Sequence, residues 1–233
     1  MNNETPVYAF LQRPSMVDFP GHMSAVFFTS GCNFKCGFCH NAPLMGKRRN
    51  GLKWDKLAAV CEDFKNDWVT GVVISGGEPT LFSELPELLK FFRKFGFAVK
   101  LDTNGSNPER LKECLPLVDY VAMDLKTAVD DYRNFVGWGN PDKIRQSFDL
   151  VKAEAKDYEF RTTVVEDYHT NELMEKAGKD IEGAKRLILQ AFVPKDELPD
   201  PNYCQMKRTS AGRMKELAEL TKPYADEVIV RGA

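Results

Sequence analysis

Short β-branched or apolar runs alternate with amphipathic stretches six times along this chain, and that rhythm restricts the fold more than any other feature. The strand-like runs are Ser24–Thr29, Gly71–Ser75, Phe97–Asp102, Tyr120–Asp124, Glu159–Val164 and Arg186–Phe192. Helical spacing falls between them, over Trp54–Asp67, Glu84–Phe95, Pro108–Leu115, Pro141–Lys156 and Asn171–Gly178. Leu85, Leu88, Leu89 and Phe92 show the three- and four-residue steps. Ser83 is the expected N-cap of that helix and Gly96 the expected residue just past its end. A last helix over Ser210–Thr221 precedes an apolar run at Glu227–Val230. Repeated strand–helix units argue for parallel strands joined by right-handed crossovers. Six units fall short of the eight of a closed barrel, so a partial barrel or an open doubly wound sheet satisfies the pattern.

Both architectures gather ligands beyond the C-terminal ends of the strands. The chain places its polar motifs there. Gly31–Asn41, with Cys32, Cys36 and Cys39, follows the first run. Gly76-Gly77-Glu78-Pro79 follows the second, Asp102-Thr103-Asn104-Gly105 ends the third, and Asp124-Leu125-Lys126 ends the fourth. Arg161 lies within the fifth run. The stretch Pro194–Thr209 reads as an irregular loop.

The cysteine spacing is C-x3-C-x2-C. Three thiolates on one short loop suit three corners of a cubic iron–sulfur cluster and leave the fourth iron open, whereas electron carriers use four cysteines. A structural zinc site needs a closed set of four ligands, commonly two cysteine or histidine pairs. Only one such pair is present, and His40 directly follows Cys39. Cys61 and Cys114 fall in helical segments and read as small buried apolar residues, while Cys204 lies in the Pro-rich loop.

An open iron calls for a chelating ligand. The glycines Gly76 and Gly77 let a backbone approach closely, and Glu78 is an acceptor for an ammonium group; the alternative is an ordinary strand-to-helix turn. Lys126 and Arg161 on a barrel interior imply an anion there, because such side chains are rarely buried unpaired. Asp102, Thr103 and Asp124 offer oxygen ligands to a hard cation or, equally, caps to the helices that follow. Phe38 offers a face to a flat heteroaromatic ring. Asp18-Phe19-Pro20-Gly21 reads as a β-turn near the site mouth. His22 and His169 stand alone, outside any motif.

At 233 residues and a formal charge of −2, the chain reads as one domain with no basic surplus to suggest a nucleic-acid partner. No run approaches a membrane span and no apolar leader stands at the start, so a reducing cytoplasm is the expected setting.

These motifs resemble those of the radical S-adenosylmethionine (radical SAM) superfamily, and the resemblance covers nearly the whole chain. The runs Leu101–Gly105 and Met123–Lys126, the Asp18-x-Pro20-Gly21 turn and the Cys39-His40-Asn41 ending are similar to those of glycyl-radical-enzyme activases. Val17–Gly21, Ser24–Phe28 and Leu189-Gln190-x-Phe192 resemble the subtype that serves anaerobic ribonucleotide reductase. The resemblance implies a partial (β/α)6 barrel over residues 1–233, with an N-terminal extension at 1–23 and a C-terminal loop and helix at 194–233. It implies a [4Fe–4S] cluster on Cys32, Cys36 and Cys39, with S-adenosylmethionine on the fourth iron. An electron from flavodoxin or ferredoxin would then yield a 5′-deoxyadenosyl radical that takes hydrogen from a glycine of a partner enzyme. Gly77 and Glu78 match the methionyl-amino contacts, Lys126 and Arg161 the carboxylate contacts, and Phe38 and His40 the adenosine contacts, with Gly76 and Asp124 in the same cofactor pocket. Asp102, Thr103 and Asp124 match a monovalent-cation site. Phe192 stands where pyruvate formate-lyase activases carry a histidine near the ribose and adenine. Two readings compete: a radical SAM enzyme acting on a small molecule such as a deazapurine precursor, and a cluster protein that relays electrons without turnover.

Overall fold

The structure is a computed structural model, and it describes residues 4–232. The outermost residues of the expected 1–233 domain, 1–3 and 233, lie outside the described residues. In chain order the strands are β1 (Val7–Phe10), β2 (Ser24–Thr29), β3 (Gly71–Gly76), β4 (Ala98–Thr103), β5 (Tyr120–Asp124), β6 (Tyr158–Val164), β7 (Ala184–Ala191) and β8 (Ala225–Arg231). The helices are α1 (Trp54–Asn66), α2 (Leu85–Lys94), α3 (Pro108–Cys114), α4 (Tyr132–Val136), α5 (Pro141–Glu154), α6 (Asn171–Asp180), α7 (Pro201–Cys204) and α8 (Ala211–Thr221).

All eight strands form one sheet in chain order. β1 runs antiparallel to β2, and every other neighbouring pair is parallel. The fold is α/β, a partial barrel of six consecutive βα units widened at both edges. All six expected strands are present within two residues of their expected ends. Two edge strands go beyond the expectation. β1 is only four residues long and pairs through a bulge, too short to show a period. β8 covers and extends the apolar run at Glu227–Val230, so the C-terminal stretch ends in a strand rather than a helix. The Pro194–Thr209 loop contains the one-turn α7. Ser83 does not cap α2: Glu84 holds the N-cap position without a side-chain bond, and the Ser83 hydroxyl donates to Glu84 instead. Gly96 does end that helix in the left-handed conformation.

Alternation along the strands sorts the chemistry into two layers. Outward residues such as Phe27, Ile74, Leu101, Met123, Phe160 and Leu189 pack with the helices in one continuous apolar core. Inward residues differ. A small apolar group of Phe19, Val26, Val73 and Tyr120 forms a floor, and above it stand charged side chains. Phe19 comes from the Asp18–Gly21 turn, so that turn plugs the barrel while Asp18 reaches the cavity wall. Among the described residues no helix is long and apolar enough to cross a membrane.

Phe27 is the hinge of the outer core, with its ring 4.8 Å from Phe92 and 6.0 Å from Phe64. Phe27→Ala is expected to cost about 3–5 kcal/mol in chemical denaturation. A loss below about 1 kcal/mol would show that the outer layer collapses around the vacancy.

Candidate active site

The cysteine loop leaves the end of β2 and is held from three directions. The Lys35 amide donates to the Val136 carbonyl at 2.8 Å, and the Asp200 amide donates to the Gly37 carbonyl at 3.2 Å. Phe38 stacks on Phe135 with centroids 4.9 Å apart. Cys32, Cys36 and Cys39 all line one cavity of about 360 Å³ at the C-terminal end of the strands. None of the chain's six cysteines is in a disulfide, and Cys61, Cys114 and Cys204 do not line the cavity. Among the described residues no three His, Cys, Asp or Glu side chains converge as a single-ion site requires.

The donor chemistry fits a cluster. The Phe34 amide and the Asn104 side chain both point at Cys32 Sγ, at 3.5 and 3.9 Å. Such donors stabilise sulfur carrying negative charge. Burial pushes the Cys32 thiol up to about 11 and the Cys36 thiol up to about 12, so the metal-free loop holds neutral thiols. A metal bound there would displace those protons.

Gly76 and Gly77 let the two loops meet closely. A Cβ on Gly76 would meet the Thr29 carbonyl oxygen at 2.3 Å, and one on Gly77 would meet the Gly31 carbonyl oxygen at 2.0 Å. Gly76 also has φ +117°, a conformation that L side chains rarely adopt. The Glu78 amide donates to the Gly31 carbonyl at 2.8 Å, which stitches the two loops together. The Glu78 carboxylate is buried and accepts four bonds, from the Thr80 amide and hydroxyl, the Thr103 hydroxyl and the Asn104 amide. Three of them fall on Oε1, so Oε2 keeps acceptor capacity. Burial raises the Glu78 carboxyl above the usual carboxylate range despite those bonds.

Opposite Glu78 lies a chain of buried ion pairs. Lys100 Nζ is 2.8 Å from Asp102 Oδ1, and Asp102 Oδ2 is 3.5 Å from Arg161. Arg161 Nε is 3.3 Å from Asp124 Oδ1, and Asp124 Oδ2 is 2.8 Å from Lys126 Nζ. Three cations face two carboxylates, a surplus of one positive charge. Burial alone would raise Asp102, but Lys100 and Arg161 outweigh it and hold the carboxyl below its usual value. Burial works against the charged Lys126, yet Asp124 beside it raises the group above the ordinary lysine value.

The structure brings Phe38, His40, Gly76, Gly77, Glu78, Asp102, Thr103, Asp124, Lys126 and Arg161 to the wall of the cysteine-lined cavity. His40 Nε2 donates to the Val193 carbonyl at 2.9 Å, which ties the cysteine loop to the exit of β7. Burial, reinforced by Lys195, lowers the His40 ring below the usual imidazole value. Phe192 is fully buried and does not line the cavity; its ring lies between His40 and Tyr203, 6.1 and 6.0 Å away. Gln190 and Ala191 form the wall there instead. Asp102, Thr103 and Asp124 do not cap the helix that follows, since Asn107 caps α3; the Asp102 and Asp124 oxygens face side-chain cations, and the Thr103 hydroxyl donates to Glu78. His169 is buried and donates from Nε2 to the Lys126 carbonyl at 2.9 Å, a supporting role.

Sequence reasoning passed over Lys100, Asn104, Thr163 and Gln190. Lys100 carried a readable signal: a lysine two residues before Asp102 on one strand shares its face. Thr163 and Gln190 are direct cross-strand partners on the cavity wall, a pairing no local pattern announces.

Three thiols without a fourth, at the mouth of a partial barrel, define a class of protein in which an iron–sulfur cluster keeps one iron for a ligand. Residues 26–177 match the radical SAM superfamily, and the chain belongs to it. It is thus a radical SAM enzyme, of a superfamily whose cofactors are a [4Fe–4S] cluster and S-adenosylmethionine. A protein of Methanocaldococcus jannaschii provisionally named a glycyl-radical enzyme activating enzyme is 34% identical, covering 93% of this chain and 92% of that one. The pyruvate formate-lyase-activating enzyme of Clostridium pasteurianum is 31% identical over 55% of this chain and 56% of its own. Streptococcus suis SuiB bound to S-adenosylmethionine shares the fold, with a TM-score of 0.68 and 17% identity over 89% of this chain. The present chain spans half the length of SuiB.

Gly77→Ala is expected to lower stability by about 1–3 kcal/mol, because backbone has to move away from backbone. It is also expected to reduce the iron retained after anaerobic reconstitution. Wild-type melting and iron content in that variant would contradict the close approach.

Proposed function

We propose that this chain is a glycyl-radical-enzyme activase built as a single radical SAM domain. The observation that carries the reading is the pairing of three cavity-facing thiols with a cradle for an amino acid. Lys126 and Arg161, in the network with one surplus positive charge, suit a carboxylate, and the spare acceptor of Glu78 suits an ammonium. A methionyl group carries both charges side by side. Cys32, Cys36 and Cys39 hold the cluster. Gly76 and Gly77 set the approach of the two loops, and Phe38 and His40 flank the adenosine.

When bound, the cluster and S-adenosylmethionine together supply a radical that removes hydrogen from a glycine α-carbon. The chain's own residues orient the methionyl end and shield the cysteine loop with the Phe38–Phe135 stack. The partner is a glycyl radical enzyme, and an anaerobic ribonucleotide reductase is the one the sequence subtype favours. The overall likeness to a relative named for that activity supports the assignment. A flavodoxin or ferredoxin in the cytoplasm supplies the electron.

Reconstituted, reduced protein is expected to convert S-adenosylmethionine to 5′-deoxyadenosine and methionine. With an anaerobic ribonucleotide reductase it is expected to raise a glycyl signal in electron paramagnetic resonance. Turnover of a purine-like metabolite, with silence from every glycyl radical enzyme tried, would overturn the proposal. In Cys36→Ala the visible cluster absorbance and turnover are both expected to disappear while circular dichroism stays native.

A further inference from the structure

Lys100 stands out among the charges of the barrel because it is sealed. Its side chain is only 3% exposed, and among the described residues its sole ion pair is with Asp102. The reason lies in the layering. Lys100 is the cross-strand neighbour of Val73 on one side and Tyr120 on the other, and both belong to the apolar floor closed by Phe19. The ammonium has nowhere to go except up the strand to Asp102, the next inward residue on β4.

The consequence reaches the cavity. The two carboxylates that line its charged wall present four oxygens, and each faces a side-chain cation: Asp102 meets Lys100 and Arg161, and Asp124 meets Arg161 and Lys126. The Thr103 hydroxyl, the remaining oxygen of the set, donates to Glu78 at 2.7 Å and accepts from the Gly105 amide at 3.1 Å. A hard monovalent cation needs several uncommitted oxygens around it. This wall offers a finished set of ion pairs, so the oxygen cluster does not fit an exchangeable ion.

We infer that Lys100 is a tethered counter-ion that stands in for a monovalent cation beneath the methionyl carboxylate site, making S-adenosylmethionine binding by this chain independent of sodium and potassium. The inference rests on the proposed S-adenosylmethionine site but not on the identity of the partner enzyme. Lys100 is a positioning residue. It keeps Asp102 charged and in place, Asp102 holds one end of the Arg161 guanidinium, and Arg161 faces the ligand. Removing the ammonium leaves a buried carboxylate whose remaining cation, Arg161, stands at 3.5 Å, an arrangement that favours recruiting a cation from solution.

The test measures two quantities that need no partner enzyme. The first is the melting temperature of the metal-free protein. The second is S-adenosylmethionine affinity of the reconstituted protein by calorimetry. Both are compared in potassium, sodium and tetramethylammonium chloride at equal ionic strength, so that screening is constant. Wild type is expected to give the same two values in all three salts. Lys100→Ala is expected to bind S-adenosylmethionine at least about tenfold more weakly in tetramethylammonium. Potassium, or methylammonium small enough to enter the vacancy, is expected to restore most of that loss and raise the melting temperature. Lys100→Met serves if the alanine variant does not fold, and the wild-type salt comparison stands without either. A wild-type affinity or melting temperature that rises with potassium would overturn the inference, as would a variant no more salt-responsive than wild type. A failure to activate any glycyl radical enzyme would touch the proposed function and leave these measurements unaffected.

Discussion

Two carboxylates buried inside the barrel, Asp102 and Asp124, impose the order that the rest of the site obeys. A carboxylate removed from water is costly unless cations and hydrogen-bond donors surround it. Here the cations come from three different strands or their ends: Lys100 from β4, Arg161 from β6, and Lys126 just past β5. The register that sets Asp124 directly opposite Arg161 is therefore fixed by charge as well as by the apolar pattern of the outer face. A slip of one residue would turn every one of these side chains into the helical layer. Within this network of ion pairs one cation is in excess.

The Gly76–Glu78 turn is joined to this charged network by hydrogen bonds. Glu78 accepts from the Asn104 amide, and the Asn104 side chain donates towards Cys32 and to Asn33. A displacement at the Gly76–Glu78 turn is thereby felt at the cysteine loop. The glycines tighten the link, since only residues lacking a Cβ let the ends of β2 and β3 meet so closely. The cysteine loop receives a second set of anchors from far along the chain, at Val136, Val193 and Asp200. Its three sulfurs are held by contacts contributed from all around the rim, which suits ligands that must stay in place through changes of charge.

Much of this was legible before any coordinates. The six central strands show as apolar runs of the right length, and five of the helices between them show as three- and four-residue periodicity, because both are local consequences of which face is buried. The cysteine spacing, the Gly76–Pro79 turn and the Asp102 and Asp124 strand ends were readable because each motif is contiguous. Phe192 lies one residue beyond β7, so the strand alternation that turns Gln190 into the cavity does not extend to it, and its ring is buried instead. Ser83 failed as a cap because its hydroxyl found a nearer carboxylate in Glu84. β1 and α7 are too short to carry a period.

The sequence alone determined the alternation of strands and helices, the trio of cysteines and the rim on which the motifs gather, since each follows from spacing within a few residues. Tertiary structure decided which charges neutralise one another. Lys100, Asp102, Asp124, Lys126 and Arg161 become one network only when β4, β5 and β6 lie side by side over an apolar floor. The strength of an ion pair depends on separation and burial, and neither is written in the order of the residues.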